Sequence, residues 1–314
     1  EKEITIKVQR DTDGDQDPDV TDPDDDNDGY TDDQEKTANT DPKDPNSKPT
    51  AAVGDIDNKT VIEKQPIEAI DVPVTNVPSK GSVEVTGLPD GLTYDPATGK
   101  ITGTPTVTDW GTTEEERDFP VKVVIKDETG TPIAEKEITI KVQRDTDGDQ
   151  DPDVTDPDDD NDGYTDDQEK TANTDPKDPN SKPTAAVGDI DNKTVIEKQP
   201  IEAIDVPVTN VPSKGSVEVT GLPDGLTYDP ATGKITGTPT VTDWGTTEEE
   251  RDFPVKVVVK DENGNPVAEK TFTVKVQRDT DGDQDPDVTD PDDDNDGYTD
   301  DQEKTANTDP KDPN

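Results

Sequence analysis

The sequence repeats itself with a period of 134 residues. Glu1 to Arg10 (EKEITIKVQR) returns unchanged at Glu135 to Arg144, and in diverged form (EKTFTVKVQR) at Glu269 to Arg278. A chain written this way folds as one unit used again, with each copy contacting chiefly its neighbours, and not around a single large core. Two kinds of segment alternate within the period. Acidic connectors are expected over 11–48, 145–182 and 279–314, and longer, less acidic domains over 49–144 and 183–278. Residues 1–10 read as the terminal strand of a truncated preceding domain. Glu1 falls inside a unit and no initiator Met, signal peptide or membrane-spanning apolar stretch is present, so the sequence is expected to be a piece of a longer array.

The charge is concentrated in the connectors. Residues 11–44 hold 14 Asp, one Glu and two Lys, a net charge of −13, against −49 for all 314 residues. Such a surface repels nucleic acid and anionic lipid, so neither is an expected partner, and it attracts cations. The chain has no Cys, which removes disulfides and thiolate metal sites, and no His, which removes the commonest general base. Oxygen is then the main ligand type, and oxygen suits hard cations such as calcium or magnesium. A catalytic site would have to be a carboxylate pair. These carboxylates are better explained as ligands, and no enzyme is expected.

The domains of 96 residues carry the period-two pattern of half-buried strands. Val83 and Val85, Leu92 and Tyr94, Phe119 to Ile125 at alternate positions, and Ile138, Ile140 and Val142 are the apolar members. Pro89-Asp90-Gly91, Pro96 to Gly99 and Asp127 to Gly130 supply turns between them, and Asn263-Gly264 takes the last turn in the second copy. Ile125 to Val259, Ile133 to Val267 and Ile140 to Val274 keep apolar character between copies, as a packed core requires. The run from Gly87 to Pro105 (GLPDGLTYDPATGKITGTP) resembles the signature of Putative-Ig or dystroglycan-type cadherin-like modules. The resemblance implies an immunoglobulin-like β-sandwich. Trp110 and Trp244 read as caps on the sandwich core, with sugar stacking as the alternative.

In the connector, Asp24, Asp26, Asp28, Asp32 and Glu35 fall at positions one, three, five, nine and twelve of a twelve-residue calcium loop. Gly29 stands at position six, where the chain turns, and Tyr30 at position seven, where only its carbonyl is needed. Upstream, Asp11, Asp13, Asp15, Asp17, Asp19 and Asp22 repeat the spacing, with Gln16 where the glycine belongs. Asp22 and Asp24 are close enough to be shared by neighbouring ions. The second connector offers Asp145, Asp147, Asp149, Asp151, Asp153 and Asp156, then Asp158, Asp160, Asp162, Tyr164, Asp166 and Glu169. The third offers Asp279, Asp281, Asp283, Asp285, Asp287 and Asp290, then Asp292, Asp294, Asp296, Tyr298, Asp300 and Glu303. Composition alone would suit a disordered acidic linker. The register of Gly29 and Glu35 favours calcium.

Two abutting loops followed by Thr40-Asp41-Pro42-Lys43-Asp44-Pro45 resemble thrombospondin type 3 repeats of bacterial surface proteins, in which the chain wraps calcium ions in place of an apolar core. The two resemblances together imply an all-β chain, an elongated rod of tandem immunoglobulin-like sandwiches joined by mostly irregular calcium-binding connectors. They also imply a function and a place. The expected function is a calcium-stiffened stalk of a bacterial, cell-wall-anchored adhesin, outside the cell. Its expected partners are calcium ions and neighbouring repeats. The alternative expectation is a calcium-dependent adhesive module whose sandwiches bind a glycan, a host protein or another copy directly.

Overall fold

The computed structural model describes residues 2–314, which fall into two compact units, one reaching to residue 159 and one from 160. Glu1, the first residue of the terminal strand expected over 1–10, lies outside the described residues. In unit 1 a short helix, α1 (Asp32–Ala38), precedes nine strands: β1 (Ala52–Val53), β2 (Lys59–Ile62), β3 (Ile70–Asp71), β4 (Val74–Thr75), β5 (Ser82–Thr86), β6 (Leu92–Asp95), β7 (Lys100–Gly103), β8 (Glu116–Lys126) and β9 (Pro132–Gln143). The long hairpin β8–β9 forms because Val, Ile and Phe alternate with Lys, Thr and Glu. The face carrying Val121, Val123, Ile138, Ile140 and Val142 is thereby removed from water.

Three sheets result. The largest has the order β2-β9-β8-β5, with β2 parallel to β9 and the other pairs antiparallel; β3-β7-β6 makes a second and β1-β4 a third. Ile70, Val72, Leu92, Ile101 and Val107 meet the β8–β9 face to close one core. Burying each Val or Ile contributes roughly 1.5–3 kcal/mol. The β6–β7 hairpin explains the glycines of the Gly87–Pro105 run. Gly91 has φ +83, and a Cβ there would lie 1.9 Å from the Thr104 carbonyl oxygen; Gly103 has φ +133 and would meet Gly91 in the same way. Two backbones approach here more closely than any side chain allows.

Unit 2 repeats the sandwich with the same strand orders. Ile125 to Val259 and Ile140 to Val274 are fully buried in both copies and each loses a methylene. Phe272 replaces Ile138 at another buried place, so volume is lost at two core positions and gained at a third. Ile133 to Val267 corrects the expectation of a core pair. Both are exposed, because they lie at the open start of the last strand.

Trp110 packs against the core and donates its Nε1–H to Glu63 Oε2 at 2.7 Å, with the Arg117 guanidinium 5.2 Å above its ring. Glu63, itself buried, also accepts from the Val107 N–H. Trp244 repeats the arrangement with Glu197 and Arg251. The cap on the core is therefore tied down by a satisfied buried carboxylate.

Candidate metal centre

The connector folds around its own carboxylates. The aspartates at positions three and five accept from the backbone two residues on: Asp26 Oδ1 from the Asp28 N–H at 3.2 Å and Asp28 Oδ1 from the Tyr30 N–H at 2.9 Å. Asp24 receives the N–H groups of Asp28 and Gly29, which closes the turn. The result brings one carboxylate oxygen each of Asp24, Asp26 and Asp28 within 4.8 Å of one another. Asp11, Asp13 and Asp15 form the matching group in the first loop, as do Asp145, Asp147 and Asp149 in unit 1 and Asp279, Asp281 and Asp283 in unit 2.

Both loops turn at positions four and six, but they place different residues there. Gly14 (φ +83) and Gln16 (φ +84) take the left-handed backbone in the first loop, and Asn27 (φ +53) and Gly29 (φ +99) in the second. The missing glycine at Gln16 therefore does not abolish the turn. It leaves a side chain in a conformation that costs roughly 1–2 kcal/mol.

Glu35, at position twelve of the second loop, lies in α1. Thr31 caps that helix, with a reciprocal capping box to Gln34, and Asn39 ends it at φ +59. The helix was legible as Thr-x-x-Gln but is absent from the expectation of irregular connectors. Glu35 is fully buried, and neither of its carboxylate oxygens has a hydrogen-bond partner; Asp26 Oδ2 and Asp28 Oδ2 are in the same condition. Burial pushes the Glu35 carboxyl up to about 7, with the charges of Asp28 and Asp26 adding to it, and burial followed by Asp28 pushes Asp26 up to about 6. Buried acceptors of one sign with nothing to accept from are costly in an ion-free chain. They suit a cation with six to eight oxygen ligands, and the donor set fits calcium.

The predicted residues do not all converge. Asp19 accepts from Thr12 N and Thr12 Oγ1 at 2.9 Å each and from Lys43, so it braces the first loop and stands apart from the Asp11 group. Asp153 and Asp287 repeat the bonds to Thr146 and Thr280. Asp17 accepts from Thr21, Asp22 from the Asp24 N–H, and Asp32 from the Asp25 N–H and Lys36. In the second connector Asp145 to Asp158 lie in unit 1, while Asp160, Asp162, Tyr164, Asp166 and Glu169 lie in unit 2. There Glu169 is fully buried and held up to about 7, with both its oxygens unmatched. In the third, Asp292 Oδ1, Asp294 Oδ2 and Glu303 Oε2 are buried without partners.

Sequence reading missed an internal ammonium. Lys43 bridges Asp19 and Asp25, and Lys311 bridges Asp287 and Asp293, so a cationic side chain already joins the two loops. Asn27, whose side chain donates to Asp13, was missed as a second link between them. Asn27 stands at a non-ligand position of its loop and Lys43 lies outside both loops, which is why the ligand spacing did not reveal them.

Loops that adjoin a sandwich in their own unit also hold on to it. Lys64 reaches the Asp145 and Thr146 carbonyls, and Asp145 is fully buried, whereas Asp11 is exposed. Gly29 O accepts from Ser79 N at 2.9 Å and Ser79 Oγ at 3.0 Å.

Two families match the chain. The profile of the Putative Ig domain family matches residues 45–143 and 179–277, and that of the bacterial TSP3 repeat matches 24–45, 158–179 and 292–313. No curated protein matches the chain. Among solved structures, the human desmocollin-1 ectodomain is 14% identical over 73% of this chain and 42% of its own, with a TM-score of 0.30. Mouse clustered PcdhgC3 EC1-3 is 10% identical over 73% and 67%, with a TM-score of 0.33. An α-galactosidase described as putative, from Bacteroides fragilis NCTC 9343, is 15% identical over 32% and 18%, with a TM-score of 0.22. The chain thus spans less than half the length of the first of these. Among the described residues no helix is long and apolar enough to cross a membrane. Strand accounts for 29% of the structure and helix for 7%, as the all-β expectation requires.

Proposed function

The chain belongs to the Putative Ig domain family, and from that premise we propose that it is a calcium-stiffened, repetitive stalk of a bacterial surface adhesin. In this reading the array is extracellular and non-enzymatic, and it carries a distal adhesive region away from the cell wall. One observation carries it: the fully buried Glu35 carboxylate, its two oxygens unmatched, closing a loop that already gathers Asp24, Asp26 and Asp28. When bound, calcium supplies the positive charge these groups lack and a shared centre for carboxylates distant in sequence. Asp24, Asp26 and Asp28 would line the ion, Glu35 would close it from the helix, and Asp11, Asp13 and Asp15 would hold another. A connector with about thirteen net negative charges otherwise repels itself and gains no apolar core from folding.

Direct adhesion by the sandwiches draws no support from Trp110, whose indole N–H and one ring face are engaged by Glu63 and Arg117. Small-angle scattering of the whole chain tests the stalk. One narrow distance distribution in calcium and a broad one in chelator are expected. Superimposable profiles would sink the stiffening mechanism.

A further inference from the structure

We infer that the second loop of each connector is a docking surface for the N-terminal end of the sandwich that follows it, and that docking and calcium binding there strengthen one another. The inference rests on the calcium reading above. Residues 11–46, 145–180 and 279–314 are identical in sequence, so differences among the three copies come from their surroundings. Tyr30 is 4% exposed and Tyr164 5%, each beside the sandwich that follows it in its own unit. Tyr298, which no sandwich follows within the 314 residues, is 63% exposed.

Hydrogen bonds next to the tyrosine hold the ligand-bearing backbone. Ser79 donates twice to Gly29 O, Lys48 Nζ donates to Asp28 O at 2.9 Å, and Gln34 Nε2 donates to Val77 O at 2.8 Å. Unit 2 repeats them with Ser213 on Gly163, Lys182 on Asp162 and Gln168 on Val211. Position seven of the loop is thus gripped through the two residues before it, and α1 is gripped one residue ahead of Glu35. These bonds of Ser79 and Val77 go to the Gly29 carbonyl and the Gln34 amide, neither of which is a predicted ligand. A sandwich that fixes this backbone removes part of the ordering cost of coordination, and by linkage an ion that fixes the ligands favours docking by the same factor.

The whole chain contains its own control, with two docked second loops and one undocked. Each second loop has tyrosine at position seven where each first loop has Asp, so tyrosine-sensitised terbium luminescence reports the second loops. Competition by calcium should be biphasic, two loops binding about tenfold or more tighter than the third. Glu303→Gln should remove the weak phase. Ser79→Ala with Ser213→Ala deletes a hydrogen bond made only by the sandwiches and should weaken the tight phase by several-fold, leaving the weak phase in place. A single phase for all three loops, loss of a tight phase in Glu303→Gln, or an unmoved tight phase in the serine variant would each overturn the coupling while leaving calcium binding intact. Absence of any terbium or calcium response would instead overturn the calcium reading, and the coupling with it.

Discussion

Glu35 and Asp33 are two residues apart on one short helix and face opposite surroundings. Glu35 is fully buried among acidic ligands, while the Asp33 side chain is 97% exposed. Glu35→Gln should therefore lower calcium affinity of its loop by about tenfold or more, and Asp33→Asn should leave it nearly unchanged. Calorimetry on the two variants decides the point, and equal losses would show that the loop register is misassigned. Gln16 raises the opposite question, because it holds φ +84 where its counterpart in the second loop is glycine. Gln16→Gly would relieve roughly 1–2 kcal/mol of strain, offset by roughly 0.5–1 kcal/mol of extra freedom in the unfolded glycine. The net expectation is a first loop that binds calcium a few-fold tighter. Weaker binding would mean that the glutamine side chain itself holds the loop. At this scale the gathering of Asp24, Asp26 and Asp28 was legible, since their spacing and the turn at Gly29 stand in register. The diversion of Asp19 to Thr12 and Lys43 was not, because spacing records which carboxylates can converge and not which donors compete for them.

Among elements, the decapeptide EKEITIKVQR shows how far sequence alone reaches. At 135–143 it belongs to β9, paired with β8 and β2, with Ile138, Ile140 and Val142 buried. Over residues 2–10, where no partner strand is at hand, no strand is assigned and Ile4, Ile6 and Val8 are more than 80% exposed. Alternation makes a strand available; a partner ladder makes it form. The β8–β9 and β6–β7 hairpins were legible because turn residues fix both their ends. The short β1, β3 and β4 were not, since two residues carry no period. The connector as an element has its own acid response. Glu35 is held up to about 7 from 4.5, and Asp26 up to about 6 from 3.8, by burial and then by neighbouring carboxylates. Raised carboxyl values mean that the ion-free fold holds more protons than the unfolded chain. Its order is fullest below the ordinary carboxylate range and is lost as pH rises through about 6 to 7. Coordination requires the ionised groups and runs the other way. Calcium affinity should fall between about pH 7.5 and about pH 5.5, and binding near neutrality should release protons. Heats of binding that do not vary with the buffer's ionisation enthalpy would contradict this.

For the whole molecule, the two kinds of stabilisation are separable. Each sandwich has an apolar core of its own, in which Ile101, Val121, Val123, Ile140 and Val142 are fully buried in the first copy and no metal ligand takes part. Chelation should leave strand circular dichroism and the environments of Trp110 and Trp244 essentially intact. Loss of the strand signal across the chain would show that the sandwiches depend on the ion. Repeat length, the alternation of two segment types and the absence of His and Cys were all legible at this scale. The division of a connector between its neighbours was not. Lys64 and Ser79 lie far in sequence from the loops they hold, and nothing in their local pattern marks them.

The parallel pairing of β2 with β9 has a mechanical meaning. Tension drawn through a sandwich enters ahead of β2 and leaves after β9, pulling two strands that point the same way in opposite directions. The four residue pairs from Lys59 with Ile140 to Ile62 with Gln143 are then loaded together, in shear, and cannot open one after another like a zipper. Rupture must break the whole patch at once, so a protein assembled from such units can bear a load at each domain before any strand is drawn out.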